Sequence, residues 1–245
     1  MKILVCISKT PDTTAKIAFT ANNTKFAGDG VQWIINPYDE WYALVRAIEL
    51  KEKDPSIVLH LATVGGADAE PIIRKALALG GDEAFRIDAE PQDSYDVAAQ
   101  LAALAGGYDL ILTGKETIDH NNGSIGGLMA GMLDRAYVSL ATGLDVNGTE
   151  LTVKREIEGG EETVKTSLPA VISCQKGMAE ARIPNMRGIM AARSKPLNVV
   201  PAAVAGDLTE VVAFELPPAK AGVRLVSADD PAELIRLLHE EAKII

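Results

Sequence analysis

The feature that most limits what this chain can fold into recurs through its first half: a short unbroken apolar run, a turn of small or polar residues, then an amphipathic stretch. Unbroken runs suit strands covered on both faces, and their alternation with helical periods predicts parallel strands with covering helices. Ile3–Ile7 (ILVCI) reads as the first strand. Asn36-Pro37-Tyr38-Asp39 reads as a helix start, because Asn can cap, Pro suits the first helical position and Asp favours the dipole. Trp41, Leu44, Val45 and Ile48 then recur at helical spacing. Ile57–Val64 (IVLHLATV) is a second buried strand, and Gly65-Gly66 leads into a helix from about Ala69 to Leu79 that Gly80-Gly81 closes. Ala84–Ile87 is a short strand, Tyr95–Ala105 a helix and Tyr108–Thr113 a further strand. The last runs into Gly114-Lys115-Glu116-Thr117-Ile118-Asp119-His120-Asn121-Asn122-Gly123-Ser124 and an apolar helix from Ile125 to Leu133.

The grammar then changes. Val138–Val146, Glu150–Ile157 and Glu162–Thr166 are strand-like and are separated by the turn pairs Asn147-Gly148 and Gly159-Gly160, which predicts an antiparallel meander. Leu168–Cys174 is one more buried strand, and residues 177–195 read as a mixed loop with several basic residues. From about Pro196 the chain is rich in Pro and Ala without a period, and it ends in an amphipathic stretch, Pro231–Ala242, with Leu234, Ile235, Leu237 and Leu238 on one side. The expected fold is an open, mostly parallel, doubly wound α/β sheet of adenine-nucleotide-binding type with a meander and an arm. Residues 1–195 form the nucleotide-binding domain in this reading. Residues 196–245 form an arm that docks on a partner.

Composition narrows the function. The 245 residues carry 24 Lys plus Arg against 34 Asp plus Glu, a net charge of −10. Wrapping nucleic acid or lying on an anionic membrane needs clustered cations, so both are excluded as partners. With 47% hydrophobic and 24% charged residues the chain matches ordinary folded domains. Cys6 and Cys174 sit inside apolar runs without ligand spacing, which reads as buried thiols in a reducing compartment. Ile3–Ile7 is too short for a signal-peptide core, and no run approaches ~18 apolar residues, so the expected location is cytoplasmic, without membrane insertion.

In an open parallel sheet, ligands bind beyond the carboxyl ends of the strands where strand order reverses. That nominates Ser8–Asp12, Val64–Gly66 and Gly114–Ser124, with Asn36–Asp39 as a further wall. The Gly114–Ser124 loop precedes a helix whose free N–H groups and dipole attract phosphate, with Asn121, Asn122, Gly123 and Ser124 offering donors and close backbone approach. Gly123, Gly127 and Gly131 recur every four residues, which leaves one helix face bare for a ligand or for close packing. Gly114-Lys115 is followed by Glu116 and lacks the earlier Gly of a P-loop, and no GxGxxG follows the first strand. His60 reads as a core histidine and His239 as a solvated one. Only His120, beside Asp119, falls in the candidate site, and Asp in such a loop more often caps or binds a ligand hydroxyl. There is no GxSxG, HExxH or His/carboxylate cluster, so the expected role is nucleotide binding without catalysis or metal.

The ordered motifs Ile3–Ser8 leading to Pro11-Asp12, NPYDEWYALVRAIELKEK (36–53), IIRKALALGGDEAFRI (72–87), YDLILTGKETID (108–119), KREIEGGEETVKTSLPAVIS (154–173) and ARIPNMRGIMAARSKPL (181–197) resemble the beta subunit of the electron-transfer flavoprotein over nearly the whole chain. The resemblance implies a heterodimer with a larger alpha subunit that holds most contacts to one FAD, while this chain packs against the flavin and binds AMP. Electrons would pass from flavin dehydrogenases, typically acyl-CoA dehydrogenases of fatty acid oxidation, to a membrane quinone oxidoreductase. The AMP contacts so implied are Cys6, Asn36, Pro37, Tyr38, Asp39, Val64 and Gly114 through Ile125. Thr13 and Tyr38 fall near the flavin. Met186, flanked by Glu180, Arg182 and Arg187, falls where the family inserts an apolar anchor into a dehydrogenase. One branch of the family holds a second FAD in the beta site and splits electron pairs from NADH; Arg155-Glu156-Ile157-Glu158-Gly159-Gly160 looks more like the AMP-binding branch. A stand-alone adenine-nucleotide-binding protein is the remaining alternative.

Overall fold

The computed structural model describes residues 1–245 except 204, 205, 207 and 221. In chain order the elements are β1 (Lys2–Cys6), β2 (Lys9–Pro11), β3 (Phe19–Thr20), β4 (Lys25–Phe26), β5 (Trp33–Ile35), α1 (Asp39–Lys53), β6 (Val58–Val64), α2 (Glu70–Leu79) and β7 (Glu83–Asp88). There follow α3 (Ser94–Ala105), β8 (Leu110–Gly114), α4 (Ile125–Leu133), β9 (Ala136–Asn147), β10 (Glu150–Ile157), β11 (Gly160–Ser167) and β12 (Ala170–Cys174). The chain closes with α5 (Met186–Ala192), β13 (Leu197–Pro201), α6 (Pro231–Arg236) and a π-helical turn, Leu237–Glu241.

Nine strands form one sheet in the order β11-β10-β9-β12-β8-β1-β6-β7-β13. Every pairing from β9 to β13 is parallel, and only β9–β10–β11 is antiparallel. Alternation explains the unbroken apolar runs. Ile3, Val5 and Ile7 face one core with α1 and α2, whereas Leu4 and Cys6 face the other with α3 and α4. Both faces are covered, so each fully buried Leu or Ile contributes ~1.5–3 kcal/mol. The doubly wound α/β architecture with its meander is therefore present. From β1 the chain builds outward through β6 and β7, then returns to place β8 on the other flank of β1. Strand order reverses there, at the carboxyl ends of β1 and β8.

Several local expectations change. Gly80 and Gly81 are demanded by packing: a Cβ would approach Ile48 Cγ1 to 2.9 Å at the first and Leu61 Cδ1 to 2.9 Å at the second. The hairpin turns lie one residue from the expected pairs, at Gly148-Thr149 and Glu158-Gly159, and only Gly148 and Gly159 take positive φ, at 61° and 81°. The stretch 177–195 contains α5, capped by Asn185 through Gly188 N–H at 2.8 Å. Leu197–Pro201, expected to open an aperiodic arm, instead pairs with β7 at the edge of the sheet. Beyond it the chain runs along α3: the Gln100 side chain donates to Ala203 O at 3.0 Å and accepts from Ala203 N–H at 2.7 Å, and Asp93 accepts from Leu208 N–H at 2.7 Å. Part of that expected arm, residues 204, 205, 207 and 221, lies outside the described residues.

Candidate functional site

The crevice at the reversal of strand order is built around Asn36, which is wholly buried at the end of β5. Its Nδ2 donates to Glu116 O at 2.8 Å and its Oδ1 accepts from Ile118 N–H at 3.1 Å. The asparagine thus reads as a clamp on the Gly114–Ser124 loop, and this corrects the expectation that it caps a helix. The helix starts later because Tyr38 stands at its N-cap with φ 65°, a conformation a helix cannot include, and makes no side-chain cap bond. Pro37 accordingly precedes the helix. Asp39 and Glu40 open α1, and both are buried. The Asp39 carboxylate accepts from Glu116 N–H at 3.3 Å, and burial holds its affinity for a proton above the ordinary range.

Glu40 ties the loop after β1 to the same crevice. Its carboxylate accepts from Ser8 N–H at 2.5 Å and from Ser8 Oγ–H at 2.7 Å. Burial pushes its pKa up to about 8, against the opposing pull of the two Ser8 hydrogen bonds. Gly114 packs directly on it: a Cβ there would stand 2.7 Å from Glu40 Cγ and 3.2 Å from Glu40 N. Only glycine lets β8 end so close to α1. Glu40 was not singled out in the sequence, although it lies one helical turn before Leu44 and so on the buried face of α1.

After Gly114 the loop is held from two sides. Lys115 N–H donates to Cys174 O at 2.8 Å, and the Lys115 ammonium pairs with Glu116 at 2.9 Å, which raises the lysine pKa. Asn121 N–H donates to Thr117 O at 2.9 Å, and Asn121 and Gly123 take φ of 53° and 60°. Asn122 reaches Ser94 Oγ at the start of α3, 3.0 Å away. Asp119 and His120 are exposed on the rim, with 4.0 Å between His120 Nε2 and Asp119 Oδ2. Ser124 stands at the N-cap of α4 without a side-chain cap bond, so the first N–H groups from Ile125 onward have no such partner.

The crevice floor is buried. Cys6 is buried and its thiol is pushed upward by desolvation, which makes it a packing group; Val64 is half-buried at the end of β6. Thr63 Oγ1 and Thr113 Oγ1, near the carboxyl ends of β6 and β8, are buried without hydrogen-bond partners. Gly126 is the glycine of α4 that close contact requires, its absent Cβ lying 2.8 Å from Thr113 Oγ1 and 3.0 Å from Tyr137 Cε2. Gly127 has ordinary room and Gly131 faces open space, so the expected Gly123-Gly127-Gly131 face is not the tight one. A cavity of about 570 Å³ adjoins the crevice, reaching Asp39, Tyr42 and Lys115 from the side of Glu156, Gln175 and Lys176. Among the described residues there is no cluster of three or more metal-ligating side chains and no helix long and apolar enough to cross a membrane.

The remaining expected residues are dispersed. Thr13 is exposed beyond β2, and Tyr38, 52% exposed, lies beyond β5; the antiparallel register of the two strands sends these residues off opposite ends of the ribbon. Glu180 and Arg187 are exposed, and Met186 is 73% exposed at the start of α5. Arg182 is turned back onto α1, where it donates to both carboxylate oxygens of Glu52 at 2.8 and 3.1 Å. Its carbonyl accepts from Trp41 Nε1–H at 3.1 Å. This fixes the chain just before Met186.

Comparison with known proteins places this geometry. Residues 24–205 match the electron transfer flavoprotein domain family. The electron transfer flavoprotein subunit beta of Bacillus subtilis (strain 168) is 37% identical, with all of both chains covered. That of Syntrophomonas wolfei is 37% identical over 99% of this chain and 96% of its own, and that of Homo sapiens 33% identical over 100% and 99%. A buried asparagine clamp, a glycine-ended strand and a helix start at the reversal point thus occur in a chain that aligns end to end with these subunits, and the chain belongs to the electron transfer flavoprotein family as a beta subunit.

Proposed function

We propose that this subunit serves a carrier-type flavoprotein: it binds AMP in the crevice between β1, β8 and α4, closes over one FAD held mainly by the alpha subunit, and passes electrons from flavin dehydrogenases to a quinone oxidoreductase. The observation that carries this reading is the Asn36-clamped loop ending at an uncapped helix start. Free N–H groups at Ile125, Gly126 and Gly127 suit a phosphate. Asn36 and Asp39 act by holding Glu116 and Ile118 in place. Gly114 and Gly126 act by taking no space.

The flavin, when bound, supplies the redox chemistry. This chain's own groups orient and exclude: Tyr38 presents an aromatic ring beside the crevice, and Met186 offers an apolar anchor to the donor protein. Exposed apolar side chains after β13, among them Leu208, Val212, Val223, Leu225 and Ile235, suit an arm that covers the alpha subunit. The Arg155–Gly160 turn favours the AMP-binding branch over the branch with a second FAD.

The test is to express the chain with its alpha subunit and add an acyl-CoA dehydrogenase with its substrate. Bleaching of the bound flavin is expected. Bleaching by NADH alone would assign the bifurcating branch. A colourless chain that binds no alpha subunit and turns over ATP would assign the stand-alone alternative.

A further inference from the structure

Between β13 and α6 the chain is tied down at two points. At the first, one oxygen of the Asp93 carboxylate accepts from Leu208 N–H at 2.7 Å, from Thr209 N–H at 2.9 Å and from the Thr209 hydroxyl at 3.1 Å, while its other oxygen caps α3 through Asp96 N–H at 2.8 Å. At the second, Phe214 N–H donates to Asn23 O at 2.7 Å, and the Phe214 ring stacks on Phe19 with 5.1 Å between centroids and 14° between planes. Phe19 and Asn23 belong to the β3–β4 hairpin. Between these anchors the chain is open. Val211 is 47% and Val212 84% exposed, and Glu210 and Ala213 are exposed with them. An extended segment resting on a surface buries every second side chain, whereas this one is held at its ends and exposed between them.

Both anchors adjoin the nucleotide crevice. The β3–β4 hairpin interrupts the β2–β5 ribbon, whose other end carries Ser8 and Asn36, joined by Asn36 N–H to Ser8 O at 3.2 Å. The helix α3 begins at Ser94, whose Oγ accepts from Asn122 Nδ2 at 3.0 Å. The Gly114–Ser124 loop therefore joins the ribbon to α3 once, through Asn36 on one side and Asn122 on the other. Leu208–Phe214 joins them a second time. Ribbon, loop, α3 and this segment close a ring, and the uncapped start of α4 follows Asn122 by two residues. The five steps from Thr209 to Phe214 reach at most about 18 Å, which bounds the gap they bridge.

We infer that Leu208–Phe214 is a strap across the mouth of the nucleotide crevice, and that AMP enters and leaves when Phe214 lifts off Phe19. The inference rests on the AMP reading above and adds a cover to its floor, loop and helix start. Opening occurs at the Phe214 end. Asp93 holds its end by three hydrogen bonds, whereas Phe214 is held by one hydrogen bond and one stacked pair on a hairpin whose strands have two residues each.

The experiment uses the complete heterodimer with its alpha subunit and times the exchange of bound AMP for isotopically labelled AMP, with FAD content and melting temperature measured alongside. Phe214→Ala removes the latch. Phe19→Cys/Phe214→Cys ties it by a disulfide, formed with an added oxidant and opened with dithiothreitol, and the two native cysteines are buried. Phe214→Ala is expected to speed exchange roughly tenfold with FAD retained, the factor that one aromatic pair supports. The oxidised double variant is expected to exchange more slowly than wild type and to recover on reduction. Exchange at the wild-type rate in Phe214→Ala and in both redox states of the cysteine pair overturns the strap and leaves the AMP reading standing. A wild-type heterodimer that releases no AMP on denaturation overturns both. Loss of the alpha subunit from Phe214→Ala, with AMP exchange unaltered, would assign the segment to the subunit interface and overturn the strap.

Discussion

Glu40 shows how one side chain links the two loops of the crevice. It is buried, bonded twice to Ser8 and packed on Gly114, and burial raises its pKa to about 8. The folded chain thus binds this proton more tightly than the unfolded chain, so the stability Glu40 lends is fully present below the ordinary glutamate range and is lost as pH rises toward 8. Glu40→Gln keeps the size and an acceptor without the charge. The melting temperature of the variant relative to wild type should therefore climb between about pH 5 and pH 8, at roughly 2–4 °C per kcal/mol. A gap that stays flat across that range would mean that Glu40 titrates normally. The apolar spacing of α1 already put Glu40 on the inward face, but no spacing rule reveals that the side chain of Asn36 turns away from its own helix to hold backbone 80 residues later. Long-range clamps of that kind are set by tertiary contact, and for the same reason the tight glycine of α4 proved to be Gly126, outside the four-residue repeat.

At the scale of elements, buried strands and their helices were legible because both faces of the sheet are covered and the apolar runs are unbroken. Elements with weak periodicity were not. The α5 helix has seven residues, too few to display a period, and β13 is an edge strand whose pattern, half exposed, imitates a coil. The seating of α5 depends on Gly188. Gly188→Ala should lift the helix off Ala78 O, cost about 1–3 kcal/mol, and raise amide hydrogen exchange over 186–192 while exchange in β1, β6 and β8 is unaltered. Unchanged exchange over 186–192 would show that α5 is seated by the Arg74 and Lys195 hydrogen bonds alone. Electron acceptance from a dehydrogenase should fall in parallel with the exchange change, since Met186 is carried by the same helix.

For the whole molecule, topology places the crevice. Strand order reverses between β1 and β8, and the clamped loop and the uncapped helix start converge there. The apolar residues after β13 have little of this chain to cover them, which accords with a subunit whose surface is completed by another. The fold was thus readable from the order of motifs, whereas the course of the chain after β13 is set by contacts with α3 and leaves no periodic trace of its own. The most direct measurement is to purify the heterodimer with the alpha subunit, denature it, and quantify the nucleotides released, for wild type and for Asn36→Ala. The account predicts one FAD and one AMP per wild-type heterodimer, and an Asn36→Ala complex that keeps its FAD but loses most of its AMP. Two FAD and no AMP from wild type, or AMP undiminished in the variant, would contradict it.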